Sequence, residues 1–252
     1  MFDDIRGDTR NSTLVSYVVA ACAIIITTAC LMVPELKALY GVTNELWAHG
    51  IVRLTIPFQH GFDDLSAVLH LIINLIFMWF FGTYLEKVIG SFRFLFITMV
   101  SWGVFVLVHR SFSLIGHGLT PIIMTYSGVM MFVLIEGKFV KTRSVFEDYY
   151  RTLRLLMIVL WVGFPVLMAF VPIYYDSSLT GADAVFYGNI AHISGLILGL
   201  ILGFVFRGHI RSKMVQRTRK RYIKHGKLDD LAFYAALVIP LYLIFVFLIR
   251  PA

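Results

Sequence analysis

Charge is scarce in this chain. Only 15% of its 252 residues are Asp, Glu, Lys or Arg, against 59% hydrophobic, and the mean hydropathy is +0.81. Soluble domains carry about 25% charged residues, so this composition excludes a secreted or cytosolic enzyme, a coiled coil and a disordered tail. Cysteine is equally sparse. Cys22 and Cys30 both lie in the first apolar run, where an eight-residue helical offset separates their Cα atoms by about 12 Å, too far for a disulfide. The chain has neither internal repeats nor low-complexity segments. Its first ten residues mix Asp3, Asp4 and Asp8 with Arg6 and Arg10, which is not the pattern of a cleaved leader.

Apolar runs take the place of charge. Seven are long enough to cross or nearly cross a bilayer: Leu14–Val33, Leu65–Leu85, Phe92–Val108, Ile122–Ile135, Leu153–Val171, Val185–Phe206 and Leu231–Ile249. A span needs about 17–25 residues, so Ile122–Ile135 is short and fits only inside a bundle. With the N-terminus placed in the cytoplasm, 18 of the 22 Lys and Arg residues fall on the cytoplasmic side. This is the bias expected of seven spans with the C-terminus outside. The expected organisation is a cytoplasmic segment 1–13, a six-span core 14–206, a basic cytoplasmic loop 207–230, and a seventh span with the C-terminus, 231–252. The net charge of +7 is concentrated in that basic loop. It reads as a topology signal with affinity for anionic lipid rather than as a nucleic-acid site.

Polar residues inside spans are costly and mark sites. The second span carries His70 and Asn74, whose i, i+4 spacing puts them on one helix face. The fourth carries Ser127 and the sixth His192. Counted from the outer ends of their runs at 1.5 Å per residue, all four fall in a slab about 7–13 Å below the outer surface. Gly195, Gly199 and Gly203 recur every fourth residue, a ladder that lets another helix backbone approach closely. Gly128, directly after Ser127, is the expected partner surface. A histidine within reach of a serine hydroxyl can take its proton. The spans place no Asp or Glu near either residue, so the pair is a Ser–His dyad and not a triad. His70 and Asn74 suit an oxyanion hole, where losing one donor typically costs ~3 kcal/mol of barrier. The plain reading of each residue is interhelical packing, worth ~0.6 kcal/mol for an average hydrogen bond. A transport pathway, by contrast, needs polar groups at several depths, and the cytoplasmic half of the spans is nearly free of them.

These pieces, in order, resemble the rhomboid intramembrane serine proteases. Val52–His60 resembles the segment before the family's second span, and His70-Leu-Ile-Ile-Asn74 its HxxxN motif. Gly82-Thr-Tyr-Leu-Glu86 with Gly90 and Arg93-Phe94 resembles the following junction. Ser127-Gly128 is similar to the end of GxSG, and Ala191-His192-Ile-Ser-Gly195-Leu-Ile-Leu-Gly199 to AHxxGxxxG. The resemblance spans roughly Trp47 to Phe206. It implies an all-α bundle, a rhomboid-like six-helix core with an added seventh span. By resemblance, Ser127 is the nucleophile, His192 the general base, and His70 and Asn74 oxyanion donors. The implied substrates are transmembrane segments of other proteins, cut near their outer ends without metal or cofactor, in an integral protein of the cell membrane. The loop Pro172–Ala184 is expected to cap the site and the fifth span to border substrate access. Two positions depart from the pattern. Thr125 stands where the family has the first glycine of GxSG, and Met131 where an aromatic residue packs on the histidine. The alternative these departures favour is a rhomboid-like protein that binds membrane clients with weak or no catalysis.

Overall fold

The structure is a computed structural model that describes residues 13–36, 55–60, 64–111, 118–139 and 182–218. The fifth and seventh apolar runs, all but the last three residues of the expected capping loop, most of the first outer loop, and the segments 1–12 and 219–252 lie outside the described residues. Among the described residues all regular structure is helical. The helices are α1 (Leu14–Met32), α2 (Asp64–Phe77), α3 (Thr83–Ile89), α4 (Ser91–Ser111), α5 (Thr120–Phe139), α6 (Ala182–Val205) and α7 (Arg207–Thr218). A single 3-10 turn, Ile56–Phe58, precedes α2, and a π turn, Met78–Gly82, joins α2 to α3. Among the described residues three helices are long and apolar enough to cross a bilayer, and α6 with α7 forms a fourth candidate bent by 63°. The chain is an integral membrane helical bundle.

The short fourth run lies at the centre. Every residue from 118 to 131 is buried, so α5 is wrapped by protein and not by lipid, the condition under which a short span is stable. Hydroxyl pairs tie it to α4: Thr98 with the Tyr126 phenol at 2.8 Å, and Ser101 with Thr125 at 2.8 Å. The Phe94 and Tyr126 rings pack at 4.7 Å. Thr125 thus has a partner on a neighbouring helix, which a glycine at that position lacks.

The glycine ladder closes α6 onto α5 on the other side. A Cβ on Gly195 would sit 2.2 Å from the Pro121 carbonyl oxygen, and one on Gly199 2.2 Å from the Thr125 carbonyl oxygen. One on Gly128 would meet the Gly199 backbone at 2.8 Å, and one on Gly203 the Phe132 ring at 2.3 Å. Residue numbers rise together along this seam, so α5 and α6 run in the same direction. Gly128, Gly195 and Gly199 each lie at one of these close approaches.

Two buried carboxylates anchor the ends. Glu86 accepts bonds from the Val15 and Ser16 N–H groups at 3.1 and 2.9 Å and from the Ser16 and Ser91 hydroxyls. It satisfies orphan donors at the start of α1, where a negative charge is favoured. Glu136 pairs with Arg207 and Arg211 across the α6–α7 bend. The expected basic loop therefore begins as a helix. Ile210 and Met214, one turn apart, are buried in the main apolar core, and that packing together with the Glu136 pairs holds Arg207–Thr218 helical.

Candidate active site

The HxxxN face of α2 meets the first turn of α5. Thr120 donates its hydroxyl proton to Asn74 Oδ1 at 3.0 Å, and its oxygen lies 3.3 Å from His70 Nε2. With that proton committed to Asn74, the hydroxyl accepts from His70 Nε2–H. Asn74 Nδ2 donates to the His70 carbonyl at 3.0 Å. The three residues form a closed ring of hydrogen bonds within the bundle, one turn before the π turn of the second span.

The backbone that delivers Thr120 is Gly118-Leu119-Thr120-Pro121. Gly118 has φ +107, a conformation costly for any residue with a Cβ. A Cβ there would also sit 2.8 Å from His70 Cε1 and 3.1 Å from His60 Cδ2. Pro121 falls in the first helical turn, where its missing N–H costs nothing. The Leu119 N–H donates to His60 Nε2 at 3.3 Å. His60 Nε2 is therefore unprotonated and the proton is on Nδ1, which lies 3.0 Å from both the Phe58 carbonyl and the Thr27 hydroxyl. Burial, reinforced by the neighbouring His70 and opposed by the Phe58 carbonyl, lowers the His60 pKa to about 3. The His60 and His70 rings pack edge to face at 5.1 Å. His60 is the strut that fixes the turn.

The seam fixes the level of His192. Gly195 is level with Pro121 and Met124, so His192, three residues earlier, is level with the turn that carries Thr120. His192 is buried and within electrostatic range of His70. Ser127 lies elsewhere. Gly128, its neighbour, is level with Gly199, which puts Ser127 about seven residues, or about 10 Å, deeper along the helix than His192. Its hydroxyl donates to the Met124 carbonyl at 2.7 Å, and the side chain is fully buried. The structure brings His70, Asn74 and His192 to one level, and the hydroxyl it brings to that level is Thr120.

A Rhomboid domain model matches residues 54–209, more than half of the chain. The chain belongs to the rhomboid family. No curated protein and no solved structure matches it. In this rhomboid protein, sequence reasoning passed over Thr120 and His60. Pro121 was the available signal for Thr120, because proline favours the first helical turn. It places the helix start at Thr120, before the run counted from Ile122. No local pattern marks His60, because its partner Leu119 is 59 residues away. Among the described residues no group of three or more His, Cys, Asp or Glu is arranged to hold a metal.

Chemically the ring is a set of hydrogen-bonding groups held inside the helical bundle. Hydroxyl nucleophiles need a base within reach of their proton. The Thr120 proton goes to an amide oxygen, which is not a base. One Asn74 N–H and the His70 Nε2–H, the donors an oxyanion hole would use, are bonded inside the ring.

Proposed function

We propose that this rhomboid protein binds transmembrane segments of other membrane proteins at the His70–Asn74–Thr120–His192 site and holds them without cutting them. A span whose backbone has unwound brings unsatisfied N–H and C=O groups into the bilayer, each costing several kcal/mol. Beyond the bonds of the ring, Asn74 keeps a second N–H and a second Oδ1 lone pair, and these can pair with such groups. The observation that carries the reading is the Thr120 hydroxyl, level with His192, with its proton committed to Asn74. In this reading the site faces the non-cytoplasmic side of the cell membrane, with the N-terminus in the cytoplasm.

The second reading is an intramembrane serine endopeptidase, with Ser127 as nucleophile, His192 as base, and His70 and Asn74 as oxyanion donors. What favours it is the close approach of α5 and α6 beside Ser127, at Gly128 and Gly199. Both readings are tested together in proteoliposomes. A model transmembrane substrate carrying a photocrosslinker is incubated with wild type, Ser127→Ala, His192→Ala and Asn74→Leu. The binding reading expects no cleavage by any of them, capture that survives Ser127→Ala, and weaker capture by Asn74→Leu. Cleavage by wild type that disappears in Ser127→Ala and in His192→Ala overturns it in favour of the endopeptidase.

A further inference from the structure

At the opposite, more basic end of the bundle, Arg93 of α4 comes together with His209 and Lys213 of α7. Gly90, with φ +88, turns the chain from α3 into α4 and places Arg93 in the first turn of α4. His209, on α7, lies with Nε2 3.3 Å from the Ile89 carbonyl at the end of α3. Lys213 follows His209 by one helical turn. The Phe96–Phe206 ring contact, at 6.2 Å, fixes the start of α4 beside the α6–α7 bend. Among the described residues, the nearby carboxylates are committed elsewhere: Glu86 to the start of α1 and Ser91, and Glu136 to Arg207 and Arg211. No described carboxylate pairs with Arg93 or Lys213.

We propose that Arg93, His209 and Lys213 bind the phosphate of an anionic phospholipid, with its acyl chains along the exposed Phe92 and Phe96. Three observations and one general rule favour a lipid over a free anion. The apolar span α6 ends at Val205, so α7 begins at headgroup level. The 63° bend turns α7 away from the α6 axis. Phe92, adjacent to Arg93, is 85% exposed, and Phe204, at the end of α6, is exposed as well. Finally, basic pockets between spans on the cytoplasmic side suit lipid headgroups. The electrostatics agree: burial lowers the His209 pKa, Arg93 adds to that, the Ile89 carbonyl opposes it, and Lys213 adds again. An anion among the three offsets this repulsion. The site is independent of what the outer site does.

The test is native mass spectrometry of the full chain in detergent, titrated with phosphatidylglycerol or with phosphatidylcholine. Wild type retains phosphatidylglycerol preferentially. Each of Arg93→Gln and Lys213→Gln weakens that binding about fivefold, and the double variant about thirtyfold. Arg93→Lys restores it, and millimolar inorganic phosphate leaves it in place. Wild-type affinity in the double variant, or equal retention of the two lipids, overturns the proposal. Displacement of the lipid by phosphate overturns the lipid assignment in favour of a free-anion site.

Discussion

The α5–α6 seam makes a quantitative demand on Gly199. A Cβ there would lie 2.2 Å from the Thr125 carbonyl oxygen and 2.9 Å from its carbonyl carbon and Cα, all backbone atoms of a buried helix. No rotamer change relieves such a contact. The two helices must part by about 1 Å to restore ordinary separation, and the interdigitation above and below is lost with the move. Inserting one methyl into a packed core costs about 1–3 kcal/mol, and at this chain length each kcal/mol lowers Tm by about 2–4 °C. Gly199→Ala is therefore expected to melt about 2–12 °C below wild type. Gly103 and Gly208 supply the control, because both lie in helices and a Cβ at either meets nothing within 4 Å. Alanine there gains about 0.5–1 kcal/mol of helix propensity, the opposite sign. A thiol-reactive dye gives the readout in detergent, since Cys22 and Cys30 are free and Cys30 is buried. Gly199→Ala melting with Gly103→Ala, or above wild type, would refute the seam as described.

Other consequences can be measured in the same preparation. Glu86→Gln puts an amide where four donors converge; a loss of about 1.5–3 kcal/mol is expected for such charge-assisted bonds, read as a lower Tm with earlier proteolytic cutting near Leu14. Thr120→Val leaves the buried Asn74 Oδ1 without its donor, a cost of about 1–3 kcal/mol; a Tm unchanged from wild type means the ring contributes nothing. The His60 pKa is depressed from 6.5 to about 3 on folding. Its neutral form therefore contributes fully above the unfolded value, and that contribution is lost as pH falls from about 6.5 toward 3, by up to ~1.4 kcal/mol per pH unit. Wild type should lose more stability over this range than His60→Gln, and parallel pH profiles would remove His60 from the account.

Much of the fold was legible because membrane helices announce themselves by length and apolarity. Runs two, three, four and six each match a helix within a few residues, apart from the second, which extends to Ile89 through the π turn. Small residues at four-residue spacing have few other uses at a helix interface, so the glycine ladder points to a close helix contact, and α6 meets α5 along it. The site was half legible. His70, Asn74 and His192 stand at one level, but the fourth apolar run opens only at Ile122, the first strongly apolar residue. The helix starts at Thr120, and α6 packs so that His192 is level with that start. Ser127 lies seven residues beyond Thr120, nearly two full turns.

That difference follows from where α5 is pinned. Its apolar stretch, Thr120–Glu136, spans 17 residues and is therefore about 25 Å long, against a hydrocarbon core of about 30 Å. The far end cannot slide inward, because the buried Glu136 carboxylate is held by Arg207 and Arg211 at the start of a helix rich in Lys and Arg, which belongs at the headgroups. All the shortfall then appears at the other end, so the first turn of α5 is expected to stop about 5 Å inside the hydrocarbon boundary on that side. Recession puts Thr120 and its unpaired helix-start geometry at a depth where water is scarce and every polar group needs a protein partner. His60, His70 and Asn74 supply those partners. A fourth span of ordinary length would carry Thr120 up to the interface and leave the HxxxN face of α2 opposed by apolar helix interior. The short helix is thus the cause of the polar site, and Glu136→Gln, which releases the far end, is expected to weaken client capture at residues more than 20 Å away; unchanged capture in a variant with lowered Tm would separate the anchor from the site.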